Sequence, residues 1–168
     1  MLDSGAVAVF ATQGAAVRVD GCRISGGNVG IALVDRARGR FTRIDVEDLT
    51  NVALRVRYES KAVFEGIRVE RCPAGLETLG NGGTTAELTD ARFRDFDLGA
   101  VAAGGESRVT LKGVTAHRGQ LGFGAVEEAQ LHLHDCEVGA VRLGGASREG
   151  GRRSSHGTSP SPARRTSA

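Results

Sequence analysis

The sequence predicts an all-β chain: a right-handed single-stranded parallel β-helix, or β-solenoid, of about six rungs, followed by a disordered C-terminal tail. Three observations predict it. A short apolar unit recurs six times at a nearly constant period, strand-forming residues alternate within it, and turn residues stand at fixed offsets between the copies. Composition agrees, because 25 glycines among 168 residues, with no Trp and six Phe plus one Tyr, suit many tight turns around an aliphatic core.

Each unit reads apolar, any, apolar, two spacers, apolar, any, apolar. The copies are Val17, Val19, Cys22, Ile24; Gly39, Phe41, Ile44, Val46; Ala62, Phe64, Ile67, Val69; Ala86, Leu88, Ala91, Phe93; Val109, Leu111, Val114, Ala116; and Leu131, Leu133, Cys136, Val138. Their first positions are separated by 22, 23, 24, 23 and 22 residues. A further alternating pair precedes most copies: Ile31 and Leu33, Leu54 and Val56, Leu76 and Thr78, Phe123 and Ala125. A period of two puts such side chains on one face of a strand, so each rung carries about three short strands.

Two corners per rung carry turn chemistry. One is read at Asp20-Gly21, Glu65-Gly66, Lys112-Gly113 and His134-Asp135. The other is read at Asn28-Val29-Gly30, Asn51-Val52-Ala53, Pro73-Ala74-Gly75, Asp97-Leu98-Gly99 and Gln120-Leu121-Gly122. Asn, Asp and Gly tolerate the left-handed backbone a sharp corner needs. Gly80-Asn-Gly-Gly83 and Gly104-Gly105 also read as corners, since neither is followed by a helix pattern or by the Lys-Ser/Thr of a phosphate-binding loop. Helical repeats need longer periods, and leucine-rich repeats need a Leu/Asn consensus that is missing. Parallel crossovers are overwhelmingly right-handed, which sets the expected hand.

Stacking the rungs puts Val19, Phe41, Phe64, Leu88, Leu111 and Leu133 in one inward ladder and Cys22, Ile44, Ile67, Ala91, Val114 and Cys136 in another. The repeat units, Ser107-Arg-Val-Thr-Leu-Lys-Gly-Val-Thr-Ala116 above all, resemble those of the right-handed parallel β-helix repeat proteins, the pectate-lyase-like superfamily. The resemblance spans roughly residues 6 to 144. It implies a scaffold shared by lyases, hydrolases, epimerases, phage tail proteins and non-catalytic modules, and so implies fold more than function. No Asp-Asp pair of the polygalacturonase kind occurs, and no Gly-Gly-x-Gly-x-Asp calcium repeat appears at Asn81-Gly82-Gly83-Thr84.

The candidate ligand-binding residues come from the outward side of the third strand. There Arg23, Asp45, Arg68, Arg92, Thr115 and Glu137 stack rung on rung, with Ser25, Glu47, Glu70, Arg94 and His117 one register on. Asp45 is expected between Arg23 and Arg68, and Glu70 beside Arg94. This is either a self-paired salt-bridge ladder or a grip for an acidic sugar, with Asp45, Glu47, Arg68, Glu70, Arg92 and Arg94 as the ligand-binding candidates, arginine forks on the sugar carboxylate and Asp45 or Glu47 serving as base. No residue is assigned a catalytic role. His132 and His134 flank Leu133 and project from one face, where a metal would need further ligands from Asp135, Glu137 or His117, so no metal and no cofactor is expected. Three cysteines, Cys22, Cys72 and Cys136, form no disulfide framework; Cys72, at a corner before Pro73, is expected to be partly exposed.

The domain organisation is a β-helix body over 1–147 and a basic Ser/Gly/Arg/Pro tail over 148–168. The tail holds Arg148, Arg152, Arg153, Arg164 and Arg165 against Glu149, a net +4, which leaves the body at −2. Such a polar segment cannot offset its ordering entropy by burial. Bulk charge nominates no specific nucleic acid. The longest apolar run, Ala6 to Ala11, is too short to span a membrane, and no signal segment is read at the N-terminus, so a complete chain of this sequence would be cytoplasmic. The expected function is a non-catalytic scaffold or binding module for a polysaccharide or protein. The alternative is a fragment of a carbohydrate-active lyase or hydrolase. An uncapped first rung predicts end-to-end self-association or additional rungs in a longer chain.

Overall fold

The computed structural model describes residues 6–142 and the backbone of 146–149. Nineteen strands and no helix are found there: β1 Val7–Ala11, β2 Ala16–Asp20, β3 Arg23–Ser25, β4 Val29–Leu33, β5 Arg38–Thr42, β6 Asp45–Glu47, β7 Val52–Arg57, β8 Lys61–Glu65, β9 Arg68–Glu70, β10 Ala74–Gly80, β11 Thr85–Thr89, β12 Arg92–Arg94, β13 Gly99–Gly105, β14 Arg108–Lys112, β15 Thr115–Gly119, β16 Leu121–Val126, β17 Gln130–His134, β18 Glu137–Val141 and β19 Ala146–Glu149. Every third strand pairs in parallel with the equivalent strand of the next turn. The result is three sheets: A (β1-β4-β7-β10-β13-β16-β19), B (β2-β5-β8-β11-β14-β17) and C (β3-β6-β9-β12-β15-β18). The chain is thus a parallel β-solenoid of about six turns, as its period predicts. Strand β19 runs across the boundary drawn at Ser147, and the remainder of the tail lies outside the described residues.

Register follows the repeat. Val19 pairs with Phe41, Phe41 with Phe64, Phe64 with Leu88, Leu88 with Leu111 and Leu111 with Leu133. The four central members, Phe41, Phe64, Leu88 and Leu111, are fully buried, and the Phe41 and Phe64 rings stack with centroids 5.1 Å apart. The ends of the ladder differ from expectation. Val19 is only partly buried, Leu133 is 39% exposed, and Cys22 is exposed, because each faces inward on a terminal turn that no further described turn covers. Cys72 corrects the reading in the other direction. It sits 1% exposed beneath the corner, its thiol donating to the Glu70 carbonyl at 3.4 Å, and burial pushes its pKa up, which makes it unreactive.

The corners are three ladders of left-handed backbone, of which the A-to-B one, at Asp35–Arg36, Tyr58–Glu59, Gly105 and Glu127, is a third corner per turn beyond the two expected. Gly21, Arg43, Gly66, Asp90, Gly113 and Asp135, all at φ between 51° and 65°, turn the chain from sheet B to sheet C at the expected place. The corner from C back to A lies earlier than expected, at Gly26–Gly27, Asp48, Arg71, Asp95, Arg118 and Ala140. Consequently Val29-Gly30, Val52-Ala53 and Ala74-Gly75 are strand, not turn. Strand β13 was also missed by the alternation pattern. Its Val101 and Ala103 occupy the register of Leu76 and Thr78, but its Ala/Gly-rich sequence lacks the branched residues that mark a strand.

Several glycines serve packing rather than turning. A Cβ on Gly39 would lie 2.3 Å from the Phe41 ring, one on Gly75 would lie 2.4 Å from Phe93, and one on Gly119 would lie 1.9 Å from Phe96. Each of these rings fills the space a side chain would otherwise take. Inside the A-to-B corner a small polar column appears: Thr78 and Ser107 share a buried hydrogen bond of 2.8 Å, and Thr84 accepts from the Glu59 amide at 2.9 Å. Ser60, in the same column, is fully buried with no partner for its hydroxyl. Ser60→Ala is therefore expected to be neutral or to stabilise by up to about 1 kcal/mol, whereas Ser107→Ala orphans Thr78 and destabilises by about 1–2 kcal/mol; urea unfolding of the two variants checks the contrast.

Candidate functional site

Strands β3, β6, β9 and β12 bring the predicted residues of sheet C together. Arg23 pairs in register with Asp45, Asp45 with Arg68 and Arg68 with Arg92; Glu47 pairs with Glu70 and Glu70 with Arg94. The side chains then choose partners by reach rather than by register. Arg23 passes Asp45 and donates from Nε to Glu47 at 2.6 Å. Arg68 stands 3.8 Å from Asp45, the long limit of an ion pair. Glu70 is contacted not by Arg94 but by Arg71, at 3.2 Å. Among the described residues Arg92 and Arg94 make no ion pair.

The organiser of this face is Arg71, a residue the sequence reading passed over. Its left-handed corner backbone aims the guanidinium across the turn below, where it donates to Asp48 at 2.6 and 3.0 Å and to Glu47 at 2.9 Å. The Arg71 fork holds the Asp48 carboxyl below the usual carboxylate range and raises its own pKa. Around it Arg23, Asp45, Val46, Glu47, Arg68 and Glu70 line a shallow depression of about 180 Å³. Its most sheltered acid, Glu47, is 17% exposed and already shared by two arginines. The expected pairing of Asp45 with both Arg23 and Arg68 is thereby corrected: Asp45 has one distant partner, and Glu47 takes the bridging role.

Two further charge clusters were not singled out from sequence. On the B-to-C corner Arg43 binds both oxygens of Asp20, and Thr42 donates to the same carboxylate at 2.6 Å, so the Asp20 pKa is lowered. On sheet A the half-buried Glu77 is gripped by Arg55 at 3.1 Å and by Arg57. Burial pushes the Glu77 pKa up, but the two guanidinium groups outweigh it and the net shift is downward. The signal for this triad was present, since Arg55, Arg57 and Glu77 alternate with the inward residues Leu54, Val56, Leu76 and Thr78 on adjacent turns.

Because Glu77 has a lower pKa folded than unfolded, its ionised form stabilises the fold above the ordinary glutamate value of 4.5, and that contribution is lost as pH falls through the folded value. Glu77→Gln is expected to cost about 1–2 kcal/mol at neutral pH and to flatten the acid loss of stability. Denaturant unfolding at neutral pH and at about pH 3 tests this; an identical pH slope in the two proteins would contradict it.

His132 and His134 stand on the outward side of β17, and His117 lies 3.7 Å from Glu137 on sheet C. Among the described residues no three His, Cys, Asp or Glu side chains are grouped closely enough to hold a metal ion. No helix there is long and apolar enough to cross a membrane. Comparison of the chain with protein-family models, with curated proteins and with solved structures finds no significant match to any of them.

Proposed function

We propose that the chain is a non-catalytic binding module of the right-handed, pectate-lyase-like kind, which presents its stacked outer strands to a polysaccharide or protein partner. The observation that carries this reading is that arginines already take up the carboxylates: Arg43 pairs with Asp20, Arg71 with Asp48 and Glu47, and Arg55 and Arg57 with Glu77. Asp20, Asp48 and Glu77 are all held below their ordinary pKa by arginines. A sugar-cleaving site working near neutral pH needs a carboxyl raised toward neutrality to give up its proton, and a neighbouring arginine opposes that. On sheet C Arg23 and Arg71 occupy Glu47, and Arg71 also occupies Glu70, so the face built by Asp45, Glu47, Arg68, Glu70, Arg92 and Arg94 offers the two unpaired guanidinium groups of Arg92 and Arg94 as its contacts.

The test is binding and turnover measured together. The purified chain is screened on immobilised glycans and proteins, and uronate polymers are assayed for cleavage products. Binding without product is expected, with Asp45→Asn leaving binding intact and Arg68→Ala changing stability by less than about 1 kcal/mol. Cleavage of a uronate polymer that disappears in both Asp45→Asn and Arg68→Ala would replace this reading with that of a carbohydrate-active enzyme fragment.

A further inference from the structure

The outward side of sheet B holds a wider depression, of about 500 Å³, lined by Arg18, Arg38, Arg40 and Lys61 over a floor of small residues. Their placement follows from register. Arg18 pairs with Arg40, and Arg38 with Lys61, so each pair is one turn apart, about 4.8 Å; Arg38 and Arg40 are two residues apart on β5, about 7 Å. The four cations form a parallelogram over three turns. Ala16 and Val63, the outward residues that flank it on the first and third turns, carry no polar group. Gly39 and Ala62 lie in the floor between them.

This concentration of positive charge is local, because the body as a whole is net negative. Nor is it cancelled on the spot. Arg40 reaches Glu65 at 3.4 Å, and Arg18, Arg38 and Lys61 have no ion-pair partner among the described residues. Glu87 closes the groove one turn further on and sets its end. Four like charges held this closely repel one another, and a bound anion relieves that repulsion.

We infer that this groove is an anion site for a phosphate monoester. The inference rests on the reading of the chain as a binding module and supplies a face and a ligand class for it. Three features select the ligand. Four cations against two carboxylates, Glu65 on Arg40 and Glu87 at the groove's end, leave a net charge of +2, which matches a phosphate monoester, close to two charges at neutral pH, better than the single charge of a uronate. Arginine forks match the oxygens of a tetrahedral oxyanion. No aromatic side chain lines the groove, so neither the stacking that single-stranded nucleic acid uses nor an aromatic sugar platform is present there.

Binding of the 168-residue chain to dextran phosphate at low salt tests the inference, with plain dextran, polygalacturonate and a single-stranded DNA oligonucleotide as comparison probes. Saturable, salt-sensitive binding to dextran phosphate alone is expected. Arg38→Ala with Arg40→Ala is expected to weaken it about tenfold or more, and Arg18→Gln with Lys61→Gln to do the same on a backbone whose unfolding midpoint is unchanged. Replacing Arg152, Arg153, Arg164 and Arg165 of the tail by Ala is expected to leave the affinity within about threefold. The inference is overturned by groove variants that bind like the wild type, by loss of binding in the tail variant alone, or by polygalacturonate or DNA binding equally well through the same residues. If dextran phosphate is not bound while another glycan or a protein is captured, the groove assignment fails and the module reading stands; if nothing is captured, both fail.

Discussion

Phe64→Ala is expected to lower the unfolding free energy by about 3–5 kcal/mol, and Phe64→Asp to leave the chain unfolded. Phe64 is fully buried on a central turn, stacked on Phe41 and in register with Leu88, so truncation opens a cavity that two turns share. Relaxation is limited because each neighbour is itself held by parallel pairing on both sides. A carboxylate at the same position would have no cation within the core to pair with and would have to be protonated or expelled. Denaturant unfolding and circular dichroism check both outcomes. A loss below about 1 kcal/mol for Phe64→Ala would mean the inward ladder is not packed as described.

Gly75→Val is expected to cost about 3 kcal/mol, at the upper end of overpacking penalties. Gly75 is buried within β10, and even a Cβ there would approach the Ala100 carbonyl oxygen to 2.2 Å and the Phe93 ring to 2.4 Å. Backbone cannot rotate away as a flexible side chain would, so β10 and β13 must move apart. The companion change Phe93→Ala is expected to be less harmful in the Gly75→Ala background than alone, since part of the space it vacates is reoccupied. A double-mutant cycle measures that coupling, and additive effects would contradict the contact.

The architecture was legible because a solenoid writes its geometry into the chain as a period. The spacing of Val17, Gly39, Ala62, Ala86, Val109 and Leu131 is the length of one turn, and the strands that hold them pair in that order. What the period could not convey is which glycine turns and which makes room. Gly21, Gly66 and Gly113 adopt the left-handed corner, whereas Gly39, Gly75 and Gly119 lie under phenylalanine rings, and the letter is the same in each case. Likewise Arg43 and Arg71 occupy left-handed corners that composition assigns to Gly, Asn or Asp. Their guanidinium groups bind Asp20, and Asp48 with Glu47, across one turn, which supplies ion-pair contacts there.

The candidate site was legible in register and not in pairing. Asp45 does stand between Arg23 and Arg68, but a side chain as long as arginine reaches a whole turn diagonally, and Arg23 and Arg71 converge on Glu47. The sheet B groove escaped because its residues lie at outward positions of the second strand on three different turns, each unremarkable as a single exposed cation. Arg18, Arg38, Arg40 and Lys61 become a cluster only when turns are superposed in three dimensions.

Distances along the stack test the central claim, six turns in register, most directly. Residues Arg18, Arg40, Val63, Glu87, Thr110 and His132 occupy one line on sheet B. With Cys22, Cys72 and Cys136 replaced, spin labels placed at 18 and 110 should be separated by about 19 Å along the stack, and labels at 18 and 132 by about 24 Å, one increment of the strand spacing for each added turn. Separations by pulsed electron resonance that grow by this increment support the solenoid. Separations that fail to increase from the first pair to the second would contradict it.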